Sequence, residues 1–145
     1  GALYIPLYIH NNPGPGHNST YECLVMKSRH YAAISSKNIN IGDRIATAGK
    51  FWDRFRGLLG RPGLEEGEGL LISPCWSIHC FGMKFAIDAI FLDEDFRVVS
   101  IHPDMKPGAM ASNRKARCVL ELKAGEAARH NIQVGEPLII EPSTR

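Results

Sequence analysis

"FAIDAIFLDEDFRVVSIH", residues 85–102, decides the fold. Two apolar runs, 85–92 and 96–101, flank the acidic triplet Asp93-Glu94-Asp95. Runs of this length, rich in Ile, Phe and Val and separated by turn-forming acids, read as two antiparallel strands joined by a tight turn. Asp88 interrupts the first run between Ile87 and Ala89. A carboxylate there either points to solvent or is buried and held by an arginine such as Arg54 or by backbone donors.

Working outward, "EGEGLLISP" (66–74) reads as a short buried strand and "INIGDRIATA" (39–48) as strand or hairpin material around a Gly-Asp turn signal. "RCVLELKAGEAARHNI" (117–132) reads as a strand followed by a short Gly-led helix at about 125–131, and "GEPLIIEP" (135–142) as the last strand. In "KFWDRFRGLLG" (50–60), Phe51, Phe55, Leu58 and Leu59 fall on one helical face, and Gly60 and Pro62 stop the helix. "HPDMKPGAMASNRKA" (102–116) reads as a long turn-rich loop. Six or more short strands with two short helices predict a mainly β chain, folded as a compact distorted β-barrel or jelly-roll-like sandwich.

The chain has 145 residues, which sets one domain as the expectation, at 39–145, preceded by an N-terminal arm at 1–38. The arm contains the turn-rich "NNPGPGHNST" (11–20), and Met26 is a candidate native start, with residues 1–25 upstream of it or foreign. A domain of this size buries about two thirds of its unfolded surface, so the four cysteines are not needed as staples. Their spacing fits neither a secreted disulfide framework nor a paired zinc motif. With 17 basic and 15 acidic residues, net charge is +2, which argues against nucleic acid or an anionic membrane as an obligatory partner. No apolar run is long enough to span a bilayer, and a cytoplasmic protein is the expectation.

The densest chemistry lies in "SPCWSIHCFGMKFAID" (73–88). If 77–81 is extended, Ser77, His79 and Phe81 face one side and Ile78 and Cys80 the other. His79 and Cys80 are then badly placed to share a metal ion or to act as base and nucleophile. No metal and no cofactor is expected. Arg54, Arg56 and Arg61, and separately Arg114, Lys115 and Arg117, form basic clusters, and neither has the interleaved aromatic residues of a single-strand nucleic-acid platform. Glu121, between Leu120 and Leu122, is the second carboxylate inside an apolar strand.

The order of motifs resembles a known family. "RFRGLLGR" (54–61), "GEGLLI" (67–72), "IHCFGMKFAIDAIFLDEDFRVV" (78–99) and "VLELKAGEAARHNIQVGEPL" (119–138) are similar, in order and spacing, to the signature blocks of the uncharacterised family called domain of unknown function 192, over about residues 43–141. Ala86 stands where that family usually has Pro, Phe96 where a turn Gly is common, and Cys80 where Thr is frequent. The resemblance implies a small β-rich fold with no established activity or cofactor. Some relatives are exported, and a thiol mechanism is not implied. Its motif positions here include Arg54, Gly57, Gly69, Met83, Lys84, Asp88, Glu121 and Gly125.

Together these readings favour a non-enzymatic binding or accessory domain, with Arg54, His79, Lys84, Asp88 and Glu121 as the candidate binding residues and Lys84 as the anion-recognising one. The occupant would be a small molecule or a partner's loop. The alternatives are a small hydrolase or isomerase using Asp88 or Glu121 with His79, and a thiol redox or metal module.

Overall fold

The computed structural model describes residues 30–48 and 62–143. Arg54, Gly57 and the helix expected at 51–59 lie outside the described residues, as does most of the N-terminal arm. Among the described residues, nine strands and one helical turn follow in the order β1 (Tyr31–Ile34), β2 (Asn40–Ala48), β3 (Glu68–Ile72), β4 (Ser77–His79), β5 (Ile87–Leu92), β6 (Val98–Met105), β7 (Met110–Ser112), β8 (Cys118–Lys123), α1 (Glu126–Arg129) and β9 (Ile139–Pro142). No helix among them is long and apolar enough to cross a membrane.

Seven strands form one sheet in the order β6-β5-β8-β3-β2-β1-β9, and β4 and β7 form a separate two-stranded ribbon. All neighbours are antiparallel except β2 and β3. The mainly β expectation holds, with the correction that the sheet does not close into a barrel. Its edges β6 and β9 are instead linked through the segment leading into β9. There Val98 N–H donates to the Glu136 carbonyl, Leu138 N–H to that of Phe96, and Gly135 N–H to that of Val98.

The β5–β6 hairpin is the one the opening stretch predicts. The Asp93 carboxylate accepts from the Asp95 and Arg97 N–H groups, each at 2.9 Å, and Phe96 N–H donates to the Asp93 carbonyl at 3.1 Å. Phe96 sits at φ 58°, the left-handed region that favours glycine, while its ring is buried in the core. The aromatic burial offsets a backbone cost of roughly 1–2 kcal/mol.

Two local expectations are corrected. Gly42 and Asp43 are not a turn but lie inside the single long strand β2. The hairpin turn is earlier, where the Ser35 hydroxyl accepts from the Lys37 and Ile39 N–H groups. Residues 102–116 are not simply a loop, since β6 runs on to Met105 and Met110–Ser112 is β7. β7 is three residues long and carries no apolar alternation; only its pairing with β4 makes it a strand. Residues 31–34, grouped above with the arm, form β1 with Tyr31 and Ala33 buried.

Apolar side chains gather on both faces of the large sheet. On one face Tyr31, Ile45, Leu71, Ile90, Leu120 and Leu122 pack with Ala127, Ile132 and Leu138 from the α1 region. On the other, Leu70, Ile72, Ala89, Phe91 and Val119 meet Ile78, Cys80 and Met83 from the ribbon side. β5 is buried at every position and β8 at all but its last, so both read as near-continuous apolar runs rather than as alternating strands.

Candidate functional site

Register places the two strand carboxylates on opposite faces. Asp88 opposes Leu122, and Glu121 opposes Ala89. Since successive side chains alternate, Asp88 shares the face of Ile90 and Leu92, and Glu121 shares that of Ala89, Phe91 and Val119.

Asp88 is fully buried and its carboxylate is occupied by backbone. Oδ1 accepts from Asp104 N–H at 2.9 Å, and Oδ2 accepts from Gly125 N–H at 3.1 Å and Ala127 N–H at 2.8 Å. Of the two buried arrangements open from sequence, the one with backbone donors is present. The side chain satisfies the first N–H groups of α1 and ties that turn to β5 and β6. Gly125 makes this approach with φ 95°.

Glu121 is also fully buried, and burial pushes its carboxyl up to about 8. It lies between Leu70 and Ala89 across the sheet, on the face against which the ribbon packs. On the same face, Asn113 Nδ2 donates to Ser100 Oγ at 3.1 Å, and Ser100 Oγ lies 3.2 Å from His102 Nε2. The His102 ring meets Phe91 edge-on, and burial lowers its pKa. This chain of polar groups ties the end of the ribbon to β6.

The ribbon carries the remaining candidates. Its alternation is the expected one: Ile78 and Cys80 are fully buried toward the sheet, whereas Phe81 is 48% exposed and stacks on His79 with centroids 5.3 Å apart and rings 17° from parallel. Met110, opposite His79, is 62% exposed. His79 Nδ1 is buried with no hydrogen-bond partner among the described residues. Lys84 is exposed in the link to β5 and makes no ion pair among the described residues. His79 and Lys84 are therefore on the ribbon side of the fold, Glu121 is on the sheet face turned toward that side, Asp88 is on the opposite face, and Arg54 lies outside the described residues.

Two turns meet at one end of the ribbon, where the Cys80 carbonyl accepts from Gly108 N–H at 2.8 Å and from Met83 N–H at 3.3 Å. This brings Lys106 to the same end as Lys84. At the other end Asn113 N–H donates to the Trp76 carbonyl, and the Arg114 guanidinium lies 5.9 Å from the Trp76 ring centroid. Residues 73–87 and 105–117, which build the ribbon and its ends, contain Lys84, Lys106, Arg114, Lys115 and Arg117 and no Asp or Glu. Sequence reading missed this assembly, because four of the five cations lie in 105–117, apart from Trp76 and Phe81, and only β4–β7 pairing joins the two segments.

Cys75, Cys80 and Cys118 are buried and not joined to one another by a disulfide, and Cys75 Sγ donates to the Ser77 carbonyl at 3.2 Å. Burial pushes Cys80 up to about 11 and Cys118 higher still, the latter with added repulsion from Cys75 and Asp93. Among the described residues no three His, Cys, Asp or Glu side chains gather as a metal site.

The fold recurs in two bacterial crystal structures. A protein of unknown function from Novosphingobium aromaticivorans shares 22% identity, with a TM-score of 0.67 over 76% of this chain and 83% of that one. A protein from Sinorhizobium meliloti, described provisionally as a transcription regulator, shares 21% identity, with a TM-score of 0.68 over 77% of this chain and 92% of that one. No curated protein matches the chain. The profile of the domain of unknown function 192, described as "Uncharacterized ACR", matches residues 32–140, so the motif blocks and the sheet lead to one conclusion: the chain belongs to that uncharacterised family.

Proposed function

We propose that the chain is a binding domain whose recognition surface is the β4–β7 ribbon with its two ends, and that its partner is anionic. The observation that carries this reading is the charge of the ribbon segments, which hold five cations and no carboxylate in a chain whose net charge is only +2. Asp104 screens Lys106 at 2.8 Å, while Lys84, Arg114, Lys115 and Arg117 have no carboxylate partner among the described residues. Concentrated, unpaired cations raise the local concentration of an anion and orient its approach. Phe81 and Met110 add exposed apolar surface at the same place.

A hydrolase or isomerase using Asp88 or Glu121 with His79 finds less support. Asp88 lies on the face of the sheet away from the ribbon and is engaged by three backbone donors, and Glu121 is fully buried. A thiol mechanism needs thiolates, which burial at Cys80 and Cys118 disfavours.

The test is retention on heparin and anisotropy of labelled polyglutamate at low salt, about 50 mM. The double variant Lys84→Glu/Arg114→Glu should lose both, whereas Lys37→Glu/Lys123→Glu, at exposed lysines elsewhere, should retain them. Equal losses from the two variants would remove the ribbon as the binding surface.

A further inference from the structure

We infer that the anionic partner of the ribbon is single-stranded nucleic acid, with Phe81 as a base-stacking platform and the cations at the two ends of the ribbon holding the flanking phosphates. This rests on the binding reading above and names its occupant.

The stacking element comes first. Phe81 is nearly parallel to the imidazole of His79, at 17° and 5.3 Å, and 48% of the residue is in solvent. The ring is thus backed by a second flat group and half exposed, which suits it to receive an unstacked base. A duplex keeps its base faces covered and offers this ring nothing, whereas a single strand can turn a base onto it. An acidic protein segment would satisfy the lysines and arginines but would make no use of an accessible π-face.

The phosphate elements follow. Lys84 and Lys106 sit at the end where the turns at 80–83 and 106–109 meet, and Arg114, Lys115 and Arg117 at the end marked by the Trp76–Asn113 contact. From Trp76 to Cys80 the strand direction spans roughly 13 Å, a distance covered by two or three nucleotides. Cations at both ends with a half-exposed aromatic ring at the Lys84 end match the combination of charged track and stacking surface that binds single strands without sequence preference. The Arg114 guanidinium, 5.9 Å from the Trp76 ring centroid, adds a cation beside a second aromatic ring at that end. Near-balanced overall charge pointed away from nucleic acid, but that balance averages over acids placed elsewhere in the chain.

The experiment is fluorescence anisotropy of a labelled oligouridylate of about ten nucleotides, with polyglutamate of similar charge and the corresponding duplex as competitors. The single strand should bind saturably and be displaced poorly by both. Phe81→Ala should weaken it about tenfold, Phe81→Tyr should leave it near wild type, and Lys84→Ala should reduce the slope of log affinity against log salt by about 0.7. Thermal melts of the Phe81 variants, changed at a half-exposed side chain, should match wild type. If polyglutamate binds as tightly as the oligonucleotide and Phe81→Ala changes nothing, the nucleic-acid inference falls while the anionic surface stands. If neither polymer binds, both fall.

Discussion

At Asp88 a single carboxylate joins three parts of the chain. It is wholly removed from solvent, yet each oxygen is met by backbone N–H groups from β6 or the α1 turn. Breaking such an arrangement leaves buried donors with no acceptor, which costs far more than the arrangement contributes net. Asp88→Asn should lower stability by about 2–4 kcal/mol, because its amide must turn an N–H toward at least one backbone donor, and Asp88→Ala by at least as much. Urea unfolding measures this; an Asn variant with the wild-type midpoint would show that the carboxylate is dispensable. Glu121 works in the opposite sense. Its native carboxyl holds a proton up to about 8, whereas the unfolded chain releases it near 4.5. Between those values the unfolded state binds fewer protons, so stability falls as pH rises, by at most about 1.4 kcal/mol per pH unit. Glu121→Gln should flatten that fall, and the difference between wild-type and variant melting temperatures from pH 5 to 8 reports it. An identical pH profile for the two proteins would rule the effect out.

At the scale of the element, β3 shows why a strand can require glycine. A Cβ at Gly69 would lie 2.7 Å from the Glu121 carbonyl oxygen and 2.8 Å from Ile45 Cδ1, closer than real side chains come. β3 is pinned between β2 and β8, so neither neighbour can move without breaking ladder hydrogen bonds. Gly69→Ala should therefore cost about 1–3 kcal/mol, despite alanine's lower entropy loss on folding; a neutral or stabilised variant in thermal unfolding would contradict the close approach. The α1 turn has its own fastening. Burial pushes the Glu126 carboxyl up, but hydrogen bonds from Arg129, at 3.0 Å on each oxygen, and from His130 outweigh it and hold the group below its usual range. That contribution is present above the ordinary carboxylate pKa and is lost as acid protonates Glu126, the reverse of the Glu121 window.

On the scale of the whole molecule, the sheet is covered on both faces at its centre and thinly at its margins. β5 and β8 sit between two apolar clusters, whereas β7 and β9 are mostly exposed. Amide exchange should be slowest in β5 and β8 and fast in β7 and β9, because opening the central pair breaks both cores together. Comparable protection in β9 and β8 would contradict this. The ribbon is the small element laid over the second core, and Ile78 and Cys80 hold it there while Phe81 and Met110 remain exposed.

Several features were legible in the sequence because they are local. The apolar runs and the acidic turn set the β5–β6 hairpin, and the glycines and prolines punctuated the other strands. Alternation correctly separated His79 from Cys80, and the order of motif blocks identified the family. Tertiary structure alone decided that Asp88 and Glu121 face opposite sides, that Asp88 accepts from the N–H groups of a helical turn, and that residues 110–112 are a strand. It also decided that cations from two distant segments surround one ribbon. The physical reason is common to all four. A strand buried on both faces loses the period of two that marks its sides, and cross-strand pairing is set by contacts between segments far apart in the chain, which no local pattern encodes.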